Sequence, residues 1–161
     1  MRRAFELRPD PVPTLDPQGE YLTRVWGAVV YPMAEQMGMS LRLPPVQPRS
    51  RLAHEAAYFA AGQECLESFH EEVFRAFFQR GEDIGRVDVL VDLGKRVGLD
   101  GAALRQALAT REFEAKVTAD EELAERLGVH AVPAYSADRR RVVTGVRTVD
   151  ELRGLVFAGG L

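Results

Sequence analysis

Cysteine is almost missing from these 161 residues: Cys65 stands alone. No intrachain disulfide can form, and no Cys-x-x-C pair exists anywhere in the chain. Long apolar runs are missing too, which excludes a membrane-spanning helix and a membrane partner. Met1-Arg2-Arg3 is basic, but Glu6, Arg8 and Asp10 follow at once. With no apolar stretch behind the basic residues a secretory signal is not expected, and a cytoplasmic location is. An excess of one charge is also lacking: 21 Lys and Arg against 24 Asp and Glu leave a net charge of −3. That balance, with only short arginine clusters at 139–141 and at Arg49 and Arg51, argues against a nucleic-acid partner.

Catalytic signatures of several classes are missing as well. There is no Gly-rich phosphate loop and no Gly-x-Ser-x-Gly nucleophile turn. His54-Glu55 and His70-Glu71 look like fragments of a zinc helix, yet Tyr58 and Phe74 stand where the second histidine would have to be. With one cysteine there is no Cys/His cluster, so no metal is expected.

What is present is mostly helical periodicity. Arg3 to Pro9 alternates apolar and polar residues and reads as one strand, followed by a Pro-rich loop to Pro17. Leu22, Val25, Trp26, Val29 and Met33 recur at helical spacing, with Pro32 expected to break or kink that helix. Leu41-Arg42-Leu43 looks like a short strand stopped by Pro44-Pro45.

Five helices then follow in sequence. Ser50 is a candidate N-cap for the first, whose apolar side is Leu52, Ala53, Ala56, Ala57, Phe59 and Ala60, with Gly62 at its end. Leu66, Phe69, Val73, Phe74 and Phe77 make the inner face of the second, closed by Gly81. Residues 87–97 form the third, and Asp100 caps a fourth carrying Leu104 and Leu108. Residues 113–127 form the fifth, with Phe113, Val117, Ala124 and Leu127 inward. After Gly128 the pattern changes: residues 129–135 lead into a strand, followed by a turn at Asp138-Arg139 and a second strand at 141–144. Thr148-Val149-Asp150-Glu151 is a capping box opening a last helix, whose buried side is Leu152, Leu155 and Val156.

This order of elements resembles the DsbA-like thioredoxin-fold proteins. The similarity is greatest to the FrnE-type branch, near 2-hydroxychromene-2-carboxylate isomerases and kappa-class glutathione transferases. It rests on Phe5 to Asp10, Arg51 to Ala57, Phe69 to Phe78, Gly81 to Ile84, Gly98-Leu99-Asp100, Gly128 to Pro133 and Val143-Thr144-Gly145. The implied fold class is α/β, a thioredoxin-like fold with a large inserted all-helical subdomain and its first β-α unit missing. The implied domains are residues 1–48 and 129–161 for the two parts of the thioredoxin-like domain, and 49–128 for the insertion. The resemblance also implies that Pro133 is a cis-proline and that Val132 offers backbone groups to an extended peptide or thiol substrate. On the residues alone, Val-Pro simply starts a strand. His130, two residues earlier, either faces that groove or is a solvated loop histidine.

The implied function is that of a thiol–disulfide oxidoreductase, inactive in redox catalysis as given because the Cys-x-x-C is absent. No catalytic residue is assigned and no cofactor is expected. Cys65 begins a helix, which favours thiolate, but Glu64 and Glu67 oppose that, and its place in the insertion points to packing. A glutathione-dependent isomerase or transferase, with glutathione as cosubstrate, is the alternative enzyme. A non-catalytic dimeric module is the alternative without chemistry. A sheet lacking its first strand would expose edges and apolar helix faces. An upstream start, a strand sliding into the vacant place, or a homodimer would each repair that; the upstream start is the leading expectation.

Overall fold

The computed structural model describes residues 2–138 and 141–158. Among them helices dominate, and the sheet is a single antiparallel pair. The chain divides into two compact units, one of residues 8–116 and one of residues 1–7 with 117–161.

In the first unit, α1 (Glu20–Val25) runs through a π-helical turn (Trp26–Val30) into α2 (Tyr31–Gln36). Pro32 does not break this run. It stands just after the π-helical turn, where the wider bonding, with the Tyr31 amide donating to Trp26 O, takes up the gap that proline leaves in the ladder. Trp26 is buried, its ring 5.4 Å from Tyr31 and 6.1 Å from Phe78. The short strand expected at Leu41–Leu43 does not form. The Arg42 amide donates to Phe78 O (2.9 Å) and the Leu43 amide to the Tyr31 hydroxyl (3.1 Å). With those donors engaged by a helix end and a phenol, no ladder is available to define a strand.

The helical core follows: α3 (Arg51–Gly62), α4 (Leu66–Arg75) with a π-helical turn at its end (Ala76–Arg80), α5 (Val87–Arg96) and α6 (Gly101–Ala109). α3 packs on α4, α5 and α6. The alanines Ala53, Ala56, Ala57 and Ala60 let these backbones approach around buried Phe69, Leu90, Leu93, Leu104 and Leu108. Asp100 is the N-cap of α6, accepting from the Ala102 and Ala103 amides at 2.8 and 3.1 Å. Ser50 holds the N-cap position of α3 but makes no side-chain cap hydrogen bond. Gly81 closes the second helix in the left-handed conformation, φ 69°. Outside the core, Arg80 pairs with Glu72 and Glu82, and Arg96 joins the same two carboxylates, tying α4 to α5. Arg49 gathers the 8–12 loop by donating to the Arg8 and Val12 carbonyls and pairing with Asp10.

α7 (Glu114–Arg126) comes next. The remaining elements are β1 (Ala134–Tyr135), β2 (Val143–Thr144) and α8 (Val149–Ala158). The strand expected from Arg3 to Pro9 is not one. The Ala4 amide donates to Asp120 Oδ2 (2.9 Å) and Arg3 pairs with Oδ1 (2.7 Å), so a carboxylate on α7 takes the place of a strand partner. The capping box of α8 is formed: Glu151 accepts from the Thr148 amide at 2.7 Å, and the Glu151 amide donates to Thr148 Oγ1 at 3.3 Å.

Two inward assignments are corrected. Phe74 is 59% exposed, lying against Phe78 with His70 at its edge, and Val156 is also exposed. Phe74 sits at the margin of its apolar stripe, and the helices packed on α4 cover only the centre.

Candidate functional site

The segment after α7 is short, apolar and uncharged apart from His130. Gly128, with φ 69°, ends the helix and turns the chain out of it. His130, Val132 and Pro133 follow in one exposed loop that runs directly into β1. The Val132–Pro133 peptide is cis.

One side of this segment is fixed by the hairpin. Ala134 is opposite Thr144 and Tyr135 opposite Val143. The pairing extends one step further, the Gly145 amide donating to Pro133 O at 2.8 Å. Gly145 reaches that position with φ 84°, a backbone region where a Cβ would be strained. β1 has no other strand neighbour among the described residues. An open edge of this kind can add an extended chain by backbone hydrogen bonds, with alternate side chains on each face. Val132 is 48% exposed at the head of that edge. Of the expected hairpin turn at Asp138-Arg139, Arg139 lies outside the described residues; Asp138 Oδ1 accepts from the Arg141 amide at 2.9 Å.

On the same unit, Arg141, Val143, Arg147, Glu151, Gly154 and Leu155 line a shallow cleft of about 320 Å³. Arg147 is engaged there, donating to Thr144 O (2.7 Å) and lying 3.4 Å from Glu151. The Glu151 carboxyl is held below its usual range, first by the Thr148 amide, then by the Thr148 hydroxyl and Arg147.

The other residues singled out for chemistry lie elsewhere. Cys65 is the N-cap residue of α4, half-buried and packed against the helical core. It belongs to the unit of residues 8–116, whereas His130, Val132 and Pro133 belong to the other. His54 and His70 lie on α3 and α4, and no group of three or more His, Cys, Asp and Glu among the described residues could hold a metal ion. No helix of the described residues is long and apolar enough to cross a membrane.

Three buried acids, Glu6, Glu55 and Asp120, escaped the apolar pattern. Glu55 is fully buried, although it falls on the far side of α3 from Ala53 and Ala57. The signal was the alanine content all round the helix, which means cover on more than one side. Asp120 is buried one turn after Val117, at a spacing that shares Val117's inward face.

Comparison with known proteins agrees with this architecture. The family described as DSBA-like thioredoxin domain matches residues 3–156. The uncharacterized protein YwbO of Bacillus subtilis is 40% identical over 113 residues, 68% of this chain. The chain spans only 56% of the length of that relative. Among solved structures, a probable DsbA oxidoreductase from Streptomyces coelicolor superposes with TM-score 0.76 at 22% identity, over 98% of this chain and 73% of that one. A putative protein disulfide isomerase from Nitrosomonas europaea superposes with TM-score 0.68 at 16% identity, over 87% of this chain and 74% of that one. At those identities the two structures speak for a thioredoxin-like DsbA fold. With its sequence matched from residue 3 to residue 156, the chain belongs to the DSBA-like thioredoxin domain family.

Proposed function

We propose that this chain is the substrate-binding and helical part of a FrnE-type thiol–disulfide oxidoreductase. Val132 and Pro133 present backbone to an extended peptide or thiol substrate, with His130 beside them. The observation that carries this reading is the open edge of β1, entered directly from the exposed loop and braced on its other side by Gly145. Membership of the family supports the chemical class.

Disulfide exchange runs by thiolate attack on a disulfide sulfur, followed by release of the mixed disulfide by a second thiol. Cys65 alone cannot complete that cycle within one chain. The 161 residues therefore bind without turning over, and redox activity requires a Cys-x-x-C supplied from outside them. The first test is the intact mass of the protein isolated from its own cells. A mass well above 17.9 kDa directs attention to a cysteine pair in the added residues, and insulin-disulfide reduction by that longer chain then follows. A folded longer chain without turnover sinks the oxidoreductase reading.

A second reading, a non-catalytic homodimer, is favoured by one observation. Val149, Val156 and Phe157 of α8 are exposed, Phe157 to 78%, and line one hollow with Leu152 and Arg153. Apolar groups so arranged commonly mark an interface. Light scattering that finds a stable monomer at micromolar concentration removes this reading.

A further inference from the structure

A carboxylate with no hydrogen bond is an unusual resident of a helical core, since nearly all buried polar side chains find partners. Glu55 of α3 is such a group. It is fully buried, and neither carboxylate oxygen accepts a hydrogen bond. What it has is a charge: Arg111 Nη2 stands 2.8 Å from Oε1, close enough for an ion pair though not oriented as a hydrogen bond. Arg111 Nε is buried and likewise without an acceptor.

Arg111 lies in the turn between α6 and α7 and adopts φ 56°, a left-handed conformation that is uncommon for a residue bearing a Cβ. Its Nη2 is also 3.0 Å from Glu114 Oε1, on the first turn of α7. One guanidinium nitrogen is thus shared by a buried acid and an exposed one. The turn itself is closed by the amides of Arg111, Glu112 and Glu114, which donate to Leu108, Ala107 and Arg111 carbonyls.

We propose that Glu55 and Arg111 form an acid-released latch on the α6–α7 turn, in which Glu55 takes up a solvent proton and Arg111 is left to Glu114. The product is a neutral carboxylic acid in the core and an intact exposed pair outside it. Burial raises the Glu55 pKa above the ordinary 4.5, with Arg111 opposing and Glu114 adding to the rise. The remaining charge acting on Glu55 is Arg51, on its own helix, which lowers it. These charges thus stand on its own helix, in the α6–α7 turn and on the first turn of α7. The folded chain therefore binds this proton before the unfolded chain does. Because Arg111 lowers the Glu55 pKa while paired with it, protonation favours the form that Arg111 has left, so the latch opens as pH falls and is closed at higher pH.

The test is amide hydrogen exchange at Arg111, Glu112 and Glu114, measured from about pH 7.5 to about pH 4.5 and corrected for intrinsic exchange. The reference is the amides of Leu90 and Leu93 in the core. In the natural chain, protection of the turn relative to the core falls roughly tenfold across the range, the size of an ordinary coupling between two sites. In Glu55→Gln the turn is already open at neutral pH and its protection no longer changes. His54 adjoins Glu55 in the sequence, so His54→Gln must keep the natural response. If Glu55→Gln fails to fold by circular dichroism, Arg111→Gln provides the same comparison from the other partner. A pH profile shared by the natural chain and a folded Glu55→Gln or Arg111→Gln variant overturns the latch, as does loss of the response in His54→Gln.

Discussion

Gly94 of α5 leaves no room for a side chain against Leu104 of α6: a Cβ there would stand 2.6 Å from Leu104 Cδ2. Leu104 is fully buried and cannot simply swing away in a close-packed core. The helix-propensity gain of Gly→Ala, about 1 kcal/mol, is therefore opposed by overpacking of about 1–3 kcal/mol. Gly94→Ala is expected to be neutral to destabilising in urea unfolding. In a Leu104→Ala background, itself costing about 2–5 kcal/mol, the same change should stabilise. Equal effects in both backgrounds would show that the two positions do not compete for space.

Asp120 offers a separate check. Its carboxylate accepts from the buried Ala4 amide and pairs with Arg3. Asp120→Ala leaves that amide without its acceptor and should cost about 1–3 kcal/mol in chemical denaturation. Asp120→Asn retains an acceptor oxygen and should cost less. Were the two variants equally destabilised, the Ala4 hydrogen bond would not be what Asp120 contributes.

The capping box at Thr148 predicts a pH-dependent helix end. Glu151 has a depressed pKa, so its contribution is present above the unfolded value and is lost as pH falls through the lowered folded value. Protection of the first-turn amides of α8, corrected for intrinsic exchange, should therefore be constant at neutral pH and fall only in acid. Thr148→Ala removes the cap at any pH and should cost about 1 kcal/mol. Acid-insensitive exchange in α8 would contradict the assignment.

At the candidate groove, Val132→Asp places a charge on the exposed edge leading into β1. An exposed substitution of this kind should alter stability by no more than about 0.5 kcal/mol. Binding of an extended cystine-containing peptide, followed by NMR shifts at residues 131–135, should fall at least about tenfold, since a like-charged or desolvated edge resists strand addition. Unchanged binding with intact shifts would remove the edge as the docking place.

The sequence by itself determined the features whose energy is local. Asp100 as the cap of α6, Thr148 with Glu151 at α8, and Gly81 at the end of the second core helix all depend on hydrogen bonds or φ values within a few residues. The helical order of residues 51–109 and the family resemblance were legible for the same reason, since helix periodicity repeats every turn. So was the candidate loop, because Gly128 to Pro133 is a run of turn and strand residues in a recognisable order.

Only the tertiary structure decided which amides found which partners at long range. Residues 3–9 and 41–43 have strand composition, but a strand exists only through a neighbour. Here Asp120, Phe78 and Tyr31 hold their amides instead. Burial was decided the same way. Phe74 and Val156 belong to apolar stripes yet face outward, while Glu55 and Asp120 are acids held inside. A residue's own hydrophobicity sets the free energy of burying it, but the packing of the neighbouring helices determines whether it is buried at all.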